Sequence, residues 1–160
     1  MSTAPLRSAT PADAEAIAAV WHAAWHEAHD TYIPASLVDA RPLTYFVGHV
    51  PGVIDRSTVA VDDSGIVGFV TVDDDELDLL FVDARGRGSG TAIELLKAGE
   101  QAIAARFDVG WLEVVTGNAR ARAFYAREGW RDAGMADRVI DTSSGPAVVP
   151  SLRYEKWLQR

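Results

Sequence analysis

The chain has 160 residues, 48% of them apolar, and no cysteine. That length suits one domain, residues 1–160, with its own core, and the lack of cysteine removes disulfides and thiolate metal sites. Its 23 acidic and 15 basic side chains leave a net charge of −8, which argues against nucleic acid as the principal partner. The opening segment MSTAPLRSATPADA lacks the layout of a secretion signal, and no apolar run approaches the ~20 residues of a membrane span. Together with the missing cysteines this gives the expectation of a cytoplasmic protein without a membrane anchor.

In chain order, Leu6 to Ala9 reads as a short strand. Thr10-Pro11-Ala12-Asp13 then starts a helix, with threonine capping, proline at the first position and Asp13 closing a capping box. Ile17, Trp21, Ala24 and Ala28 recur on one face as far as about Asp30, and that face should pack inward. Trp25 lies at its edge. His22, His26 and His29 share the neighbouring flank, where imidazoles one turn apart can converge on a metal; with no HExxH frame and no fourth ligand, the expectation is a polar flank beside a groove and no metal. Tyr32-Ile33-Pro34 ends the helix. A second helical stretch runs from about Ala35, breaks at Pro42 and continues to Pro51-Gly52.

Thr58 to Val61 and Ile66 to Val72 are β-branched runs joined by the hairpin turn Asp62-Asp63-Ser64-Gly65. Asp73-Asp74-Asp75-Glu76, read as a solvated turn and not a cation site, leads into Leu77 to Val82. There Leu77, Leu79 and Phe81 alternate with Asp78, Leu80 and Val82. Arg85-Gly86-Arg87-Gly88-Ser89-Gly90 follows, and Ala92, Leu96, Gly99, Ile103 and Phe107 then recur at helical spacing. Glycines let successive amides turn toward one point, and the helix behind them adds the positive end of its dipole. Such a loop binds phosphate, although a plain glycine-rich turn has the same composition. The nucleotide-triphosphate pattern is absent, as is Gly-x-Gly-x-x-Gly. The spacing that fits is Gln/Arg-x-x-Gly-x-Gly/Ala, read on Arg85, Gly88 and Gly90. Arg85, Arg87, Arg120 and Arg122 form the local basic patch that a polyanionic ligand needs on an acidic chain.

Trp111 to Val115 is a further strand, parallel to its predecessor because a helix joins them. Asn118 caps the next helix and Gly129 closes it. Trp130 to Ile140 and Ala147 to Leu158 form a last antiparallel pair around the turn Thr142 to Pro146. Three antiparallel strands, a glycine loop and a helix describe an α+β layout.

The glycine loop resembles the pyrophosphate loop of the GNAT superfamily of acetyl-CoA-dependent N-acetyltransferases. Residues 112–130, LEVVTGNARARAFYAREGW, resemble its second motif: a strand, asparagine, a short helix with Phe-Tyr, then Gly-Trp. With the flanking elements the resemblance covers nearly the whole chain. It implies a mixed, mostly antiparallel central sheet of six to seven strands flanked by about four helices, and transfer of an acetyl group from acetyl-CoA to a primary amine, a small molecule or a peptide N-terminus. The alternative is a non-catalytic acyl-CoA-binding sensor.

Carried over residue by residue, the resemblance places the pantetheine arm along Leu80, Phe81 and Val82, where the strands bearing Phe81 and Glu113 splay apart. The diphosphate falls on the loop from Arg85 through Gly86, Arg87, Gly88, Ser89 and Gly90 to Thr91, and Asn118, Arg122 and Tyr125 lie beside the cofactor. Tyr125 matches the usual general acid. Glu113, twelve residues before Tyr125, is the first candidate base, with Glu76, Asp78, His26 and His29 as rivals. Trp25, His26, His29, Tyr32 and Tyr45 fall near the acceptor. Only Asp83 and Ala84 separate Val82 from Arg85, a connection about two residues short for the family, which can move the phosphates toward Arg87 or Arg120. The acidic balance mildly favours a cationic acceptor. Pairing of two copies through strands or helices is compatible with the resemblance.

Overall fold

The computed structural model describes residues 3–142 and 144–158. Strand β1 (Leu6–Ser8) is followed by a 3-10 turn at Pro11–Asp13 and helix α1 (Ala14–His29). Asp13 accepts the Thr10 amide at 2.8 Å and both arms of the Arg7 guanidinium at 2.7 and 2.9 Å. That bidentate partner holds its carboxyl well below the usual carboxylate range. Two short helices, α2 (Ala35–Asp39) and α3 (Leu43–His49), come next, separated at Pro42 as expected. Strands β2 (Ser57–Asp62), β3 (Gly65–Asp73) and β4 (Glu76–Val82) form consecutive antiparallel pairs. After the glycine loop come α4 (Thr91–Ala104), β5 (Val109–Val115), α5 (Ala119–Arg127), β6 (Arg131–Met135), β7 (Arg138–Thr142), β8 (Gly145–Val149) and β9 (Ser151–Trp157).

Seven strands make one sheet in the order β1-β2-β3-β4-β5-β9-β6, antiparallel except between β4 and β5. The expected mixed, mostly antiparallel architecture is therefore present. Each face carries an apolar layer. On one, Ile17, Val20 and Trp21 of α1 and Phe46 of α3 cover Val59 and Phe69. On the other, Leu95, Leu96 and Ile103 of α4 cover Val67, Val70, Leu77, Leu112 and Val114. Gly99 lets α4 come close to the sheet, since a Cβ there would stand 2.7 Å from Leu77 Cδ1 and 3.1 Å from Val70 Cγ2.

Two departures from the sequence reading shape the molecule. The register of β3 on β4 runs Thr71 to Leu79 and then Val72 to Leu77, so Asp78 is an extra, unpaired residue. This β-bulge moves Leu77 to the α4 side with Leu80 and Val82, while Leu79 and Phe81 stay with α1. The simple alternation of Leu77, Leu79 and Phe81 on one face is thus corrected, because a bulge shifts the two-residue period by one.

The tail is not a single antiparallel pair either. β6 pairs with β9 in the main sheet, whereas β7 and β8 form a separate two-stranded ribbon. The break falls at Ala136-Asp137 on one arm and at Pro150 on the other, where the missing N–H cannot continue a ladder. The ribbon turns away and packs on α2. Its tip at Ser143 lies outside the described residues.

Candidate active site

β4 and β5 are in parallel register at Glu76 and Trp111 among the described residues, and the Trp111 amide adds a hydrogen bond of 3.0 Å to Asp75 O. Beyond that point the strands separate. Leu77 to Val82 and Leu112 to Val115 then line opposite walls of a cleft of about 640 Å³, within the usual range for a ligand site. Among the described residues β4 has no further pair with β5 along this wedge, which offers backbone amides and carbonyls to an extended ligand.

At one end of the cleft lies the glycine loop. Gly88 and Gly90 take φ of +74° and +81°, a region that side chains with a Cβ avoid, and Gly90 opens α4. The first amides of α4, on Thr91, Ala92 and Ile93, have no acceptor within the helix, and all three residues line the cleft with Gly86, Arg87, Gly88 and Gly90. Ser89 braces the turn, donating to Gly86 O at 2.6 Å and meeting Thr91 Oγ1 at 2.7 Å. The four arginines of the expected basic patch divide. Arg85 turns out of the cleft, donating to Asp83 at 2.8 Å, Ser64 O at 3.2 Å and Ile66 O at 2.9 Å. Arg122 turns under α5, with Tyr154 Oη at 3.3 Å and Thr116 O at 3.1 Å. Arg87 and Arg120 line the cleft instead, joined by Arg127. Arg87 is bound to the carboxylate of Glu27 on α1.

Past the loop, Asn118 and Tyr125 line the same wall. Asn118 Oδ1 caps α5 through the Ala121 amide at 3.2 Å and borders the cleft as well, so one side chain can serve both roles. Tyr125 packs edge-on near Phe124, with ring centroids 5.2 Å apart, and near Trp130 at 6.2 Å. Burial pushes its phenol above the ordinary value, so it remains a proton donor at neutral pH.

The other end of the cleft is charged. Glu113 projects from β5 and pairs with Arg138 of the β7–β8 ribbon, Nε to Oε2 at 3.2 Å. Both line the cleft with Asp78. Glu76 stands half-buried beside them, its carboxyl pushed up to about 7 by burial and then by the charges of Asp78 and Glu113, against the pull of Arg138. Burial also raises Asp78, opposed by Arg56, whose guanidinium is 3.7 Å away. A carboxyl titrating higher folded than unfolded binds its proton more tightly in the native state. Stability therefore falls as pH rises from about 4.5 to about 7. Glu76→Gln should remove this slope and, after discounting for solvent screening, raise stability at pH 8 by about 1–2 kcal/mol. Urea unfolding at pH 5 and pH 8 checks it.

The expected acceptor residues divide. His29 and Tyr32 line the cleft. His29 Nδ1 donates to Trp25 O at 2.9 Å, which leaves Nε2 as an acceptor, and burial lowers its pKa. Tyr32 lies on Gly117, where a Cβ would be 2.9 Å from the ring. Trp25 and His26 are not among the lining residues; both pack near the Phe46 ring, with centroids at 6.0 and 6.3 Å. His26 ties α1 to the α2–α3 connection, reaching Asp30 at 2.7 Å and Arg41 O at 2.6 Å. Tyr45 stacks on His49 at 3.9 Å. Among the described residues no group of three or more side chains is placed to hold a metal ion, and no helix is long and apolar enough to cross a membrane. The cleft also contains Glu27, Arg127 and Arg138, which the sequence reading did not single out. A signal existed for Glu27 alone: Ala24 and Ala28, small residues one turn apart, flank it on the helix face that borders the open space.

The sequence profile of the acetyltransferase (GNAT) domain matches residues 54–139, more than half of the chain. The chain belongs to the GNAT acetyltransferase family. No curated protein matches it in sequence. Among solved structures it is similar to a GCN5-related N-acetyltransferase from Rhodopseudomonas palustris, with 21% identity over 99% of this chain and 98% of that one and a TM-score of 0.79. It is also similar to the PaiA N-acetyltransferase of Thermoplasma acidophilum in complex with coenzyme A, with 17% identity, 98% and 99% coverage and a TM-score of 0.68. The ribosomal-protein-alanine N-acetyltransferase of Brucella melitensis is similar at 20% identity, 96% and 99% coverage and a TM-score of 0.67. At these identities the likeness establishes the shared fold.

Proposed function

We propose that the protein transfers an acetyl group from acetyl-CoA to a primary amine, and that the wedge between β4 and β5 is where the two substrates meet. The observation that carries this reading is the position of that wedge between an anion-binding loop and a chargeable carboxylate pair, with a protonated phenol on its wall. The donor set fits the coenzyme. Helix-start amides with Arg87 and Arg120 suit a diphosphate, and an unpaired strand edge suits the amides of a pantetheine arm.

Bound acetyl-CoA supplies an acetyl thioester. The chain's own residues do the rest. Free amides on the open edge of β4 can donate to a thioester oxygen as negative charge develops. Glu113 lines the wall where an amine must stand, and Glu76 beside it is the carboxyl that changes charge near neutral pH. Glu113, the one of the two that lines the cleft, can receive the proton an ammonium must lose before its nitrogen can bond to the acetyl carbon, and a negative charge on neighbouring Glu76 favours that loss. As that C–N bond forms and the C–S bond breaks, Tyr125 can protonate the departing sulfur, since a phenol with unperturbed pKa of about 10 is neutral at pH 7, and the second proton shed by the acylated nitrogen restores the phenol through water. The excess of carboxylates over arginines at this end of the cleft suits an acceptor that arrives as an ammonium ion.

Calorimetric titration with CoA, followed by release of free thiol from acetyl-CoA across a panel of primary amines, tests the proposal. Binding with amine-dependent thiol release supports the enzyme. Binding without turnover for any amine points to a non-catalytic acyl-CoA binder.

A further inference from the structure

A carboxylate stands where an anionic ligand should be welcome. Glu27 lies on the face of α1 that borders the cleft, between Ala24 and Ala28, and its carboxylate holds the Arg87 guanidinium of the glycine loop. Arg120, reaching in from α5, also acts on Glu27. The hydrogen bond from Arg87 keeps the Glu27 carboxyl below the usual range, so it is ionised at any pH where the protein works. The side chains are 48% and 30% exposed, and ion pairs this accessible to water are weak and exchangeable. Arg87 is, moreover, a loop arginine that lines the cleft, whereas Arg85 does not line it and binds Asp83 and Ile66 O.

We propose that Glu27 is a built-in competitor for the phosphates of the coenzyme: its carboxylate occupies the Arg87 end of the anion site and must be displaced when a diphosphate binds. The proposal rests on the acetyl-CoA reading of the cleft. Displacement leaves Arg87 and Arg120 facing the ligand, and it removes a tie from the end of α1 that carries His29 and leads into Tyr32. Coenzyme binding thereby releases a tie between the loop and the helix bordering the acceptor end. The built-in carboxylate holds coenzyme affinity below what the loop alone would give.

Calorimetric titrations of wild type, Glu27→Gln and Glu27→Ala with CoA and with inorganic pyrophosphate decide the matter, with Glu15→Gln on the exposed start of α1 as a control. Unchanged far-ultraviolet circular dichroism establishes that each variant is folded. Both Glu27 variants should bind CoA about three- to tenfold more tightly than wild type, because the competing charge is gone, and pyrophosphate should follow the same order. The control should match wild type. If wild type binds CoA and the Glu27 variants bind it equally or more weakly, Glu27 is a clamp or a bystander and the proposal is overturned. If neither wild type nor the variants bind CoA, the acetyl-CoA reading itself fails.

Discussion

Tyr125→Phe is expected to lower kcat by about 10²–10³-fold while changing the Kd for CoA by less than about threefold. The ring is packed near Phe124, Trp130 and Tyr154, and phenylalanine keeps that packing, so the loss falls on the phenolic proton. At about 1.4 kcal/mol per tenfold, the deficit is on the order of 3–4 kcal/mol of transition-state stabilisation. The variant should also respond to the leaving group: an acyl donor with a more acidic thiol needs less help, so its rate should fall less. Stopped-flow measurement of thiol release with both donors checks this. A uniform loss for both donors would assign Tyr125 to packing instead.

The second large effect concerns the carboxylates. Glu76, its carboxyl pushed up to about 7, gains its charge beside the carboxylate on the cleft wall, and a second negative charge there favours proton loss from the ammonium, so kcat/KM should climb with pH through the neutral range. Glu113→Gln should reduce kcat/KM by about 10²-fold, because it removes the carboxylate on the cleft wall. Glu76→Gln should abolish the limb near pH 7, because the group that changes charge there is gone. His29, which also lines the cleft with an open Nε2, makes the opposite prediction. If it were the base, the limb would lie below the ordinary imidazole range, because burial lowers the His29 pKa; both glutamine variants would retain it and the His29→Gln variant would lose it. Profiles taken under conditions where chemistry limits turnover separate the two.

The glycine loop and the helix after β5 were legible in the sequence because local backbone demands leave local marks. Gly88 and Gly90 sit at positive φ, Asn118 caps its helix, and Tyr125 follows at a fixed helical offset. What it hid was non-local. The bulge at Asp78 depends on how β3 and β4 register, and that choice put Leu77 on the face opposite to the one expected. The direction of the Arg85 side chain is likewise set from a distance, because Ser64 and Ile66, some twenty residues earlier, supply carbonyls that it binds. Arg138 reaches Glu113 from the separate β7–β8 ribbon, which exists because the tail hairpin breaks at Pro150. The pairing of Glu27 with Arg87 joins residues sixty positions apart, and no spacing rule connects them.

The chemistry proposed for this member of the family depends on one spatial relation, an extended ligand lying between β4 and β5 with its sulfur beside Tyr125. A crystal structure of the protein with CoA measures it directly. The diphosphate should lie on the amides of residues 86–91, the pantetheine arm along Leu80 to Val82 and the thiol within hydrogen-bond reach of the Tyr125 hydroxyl. Coenzyme bound outside the wedge, or a thiol far from that hydroxyl, would contradict it.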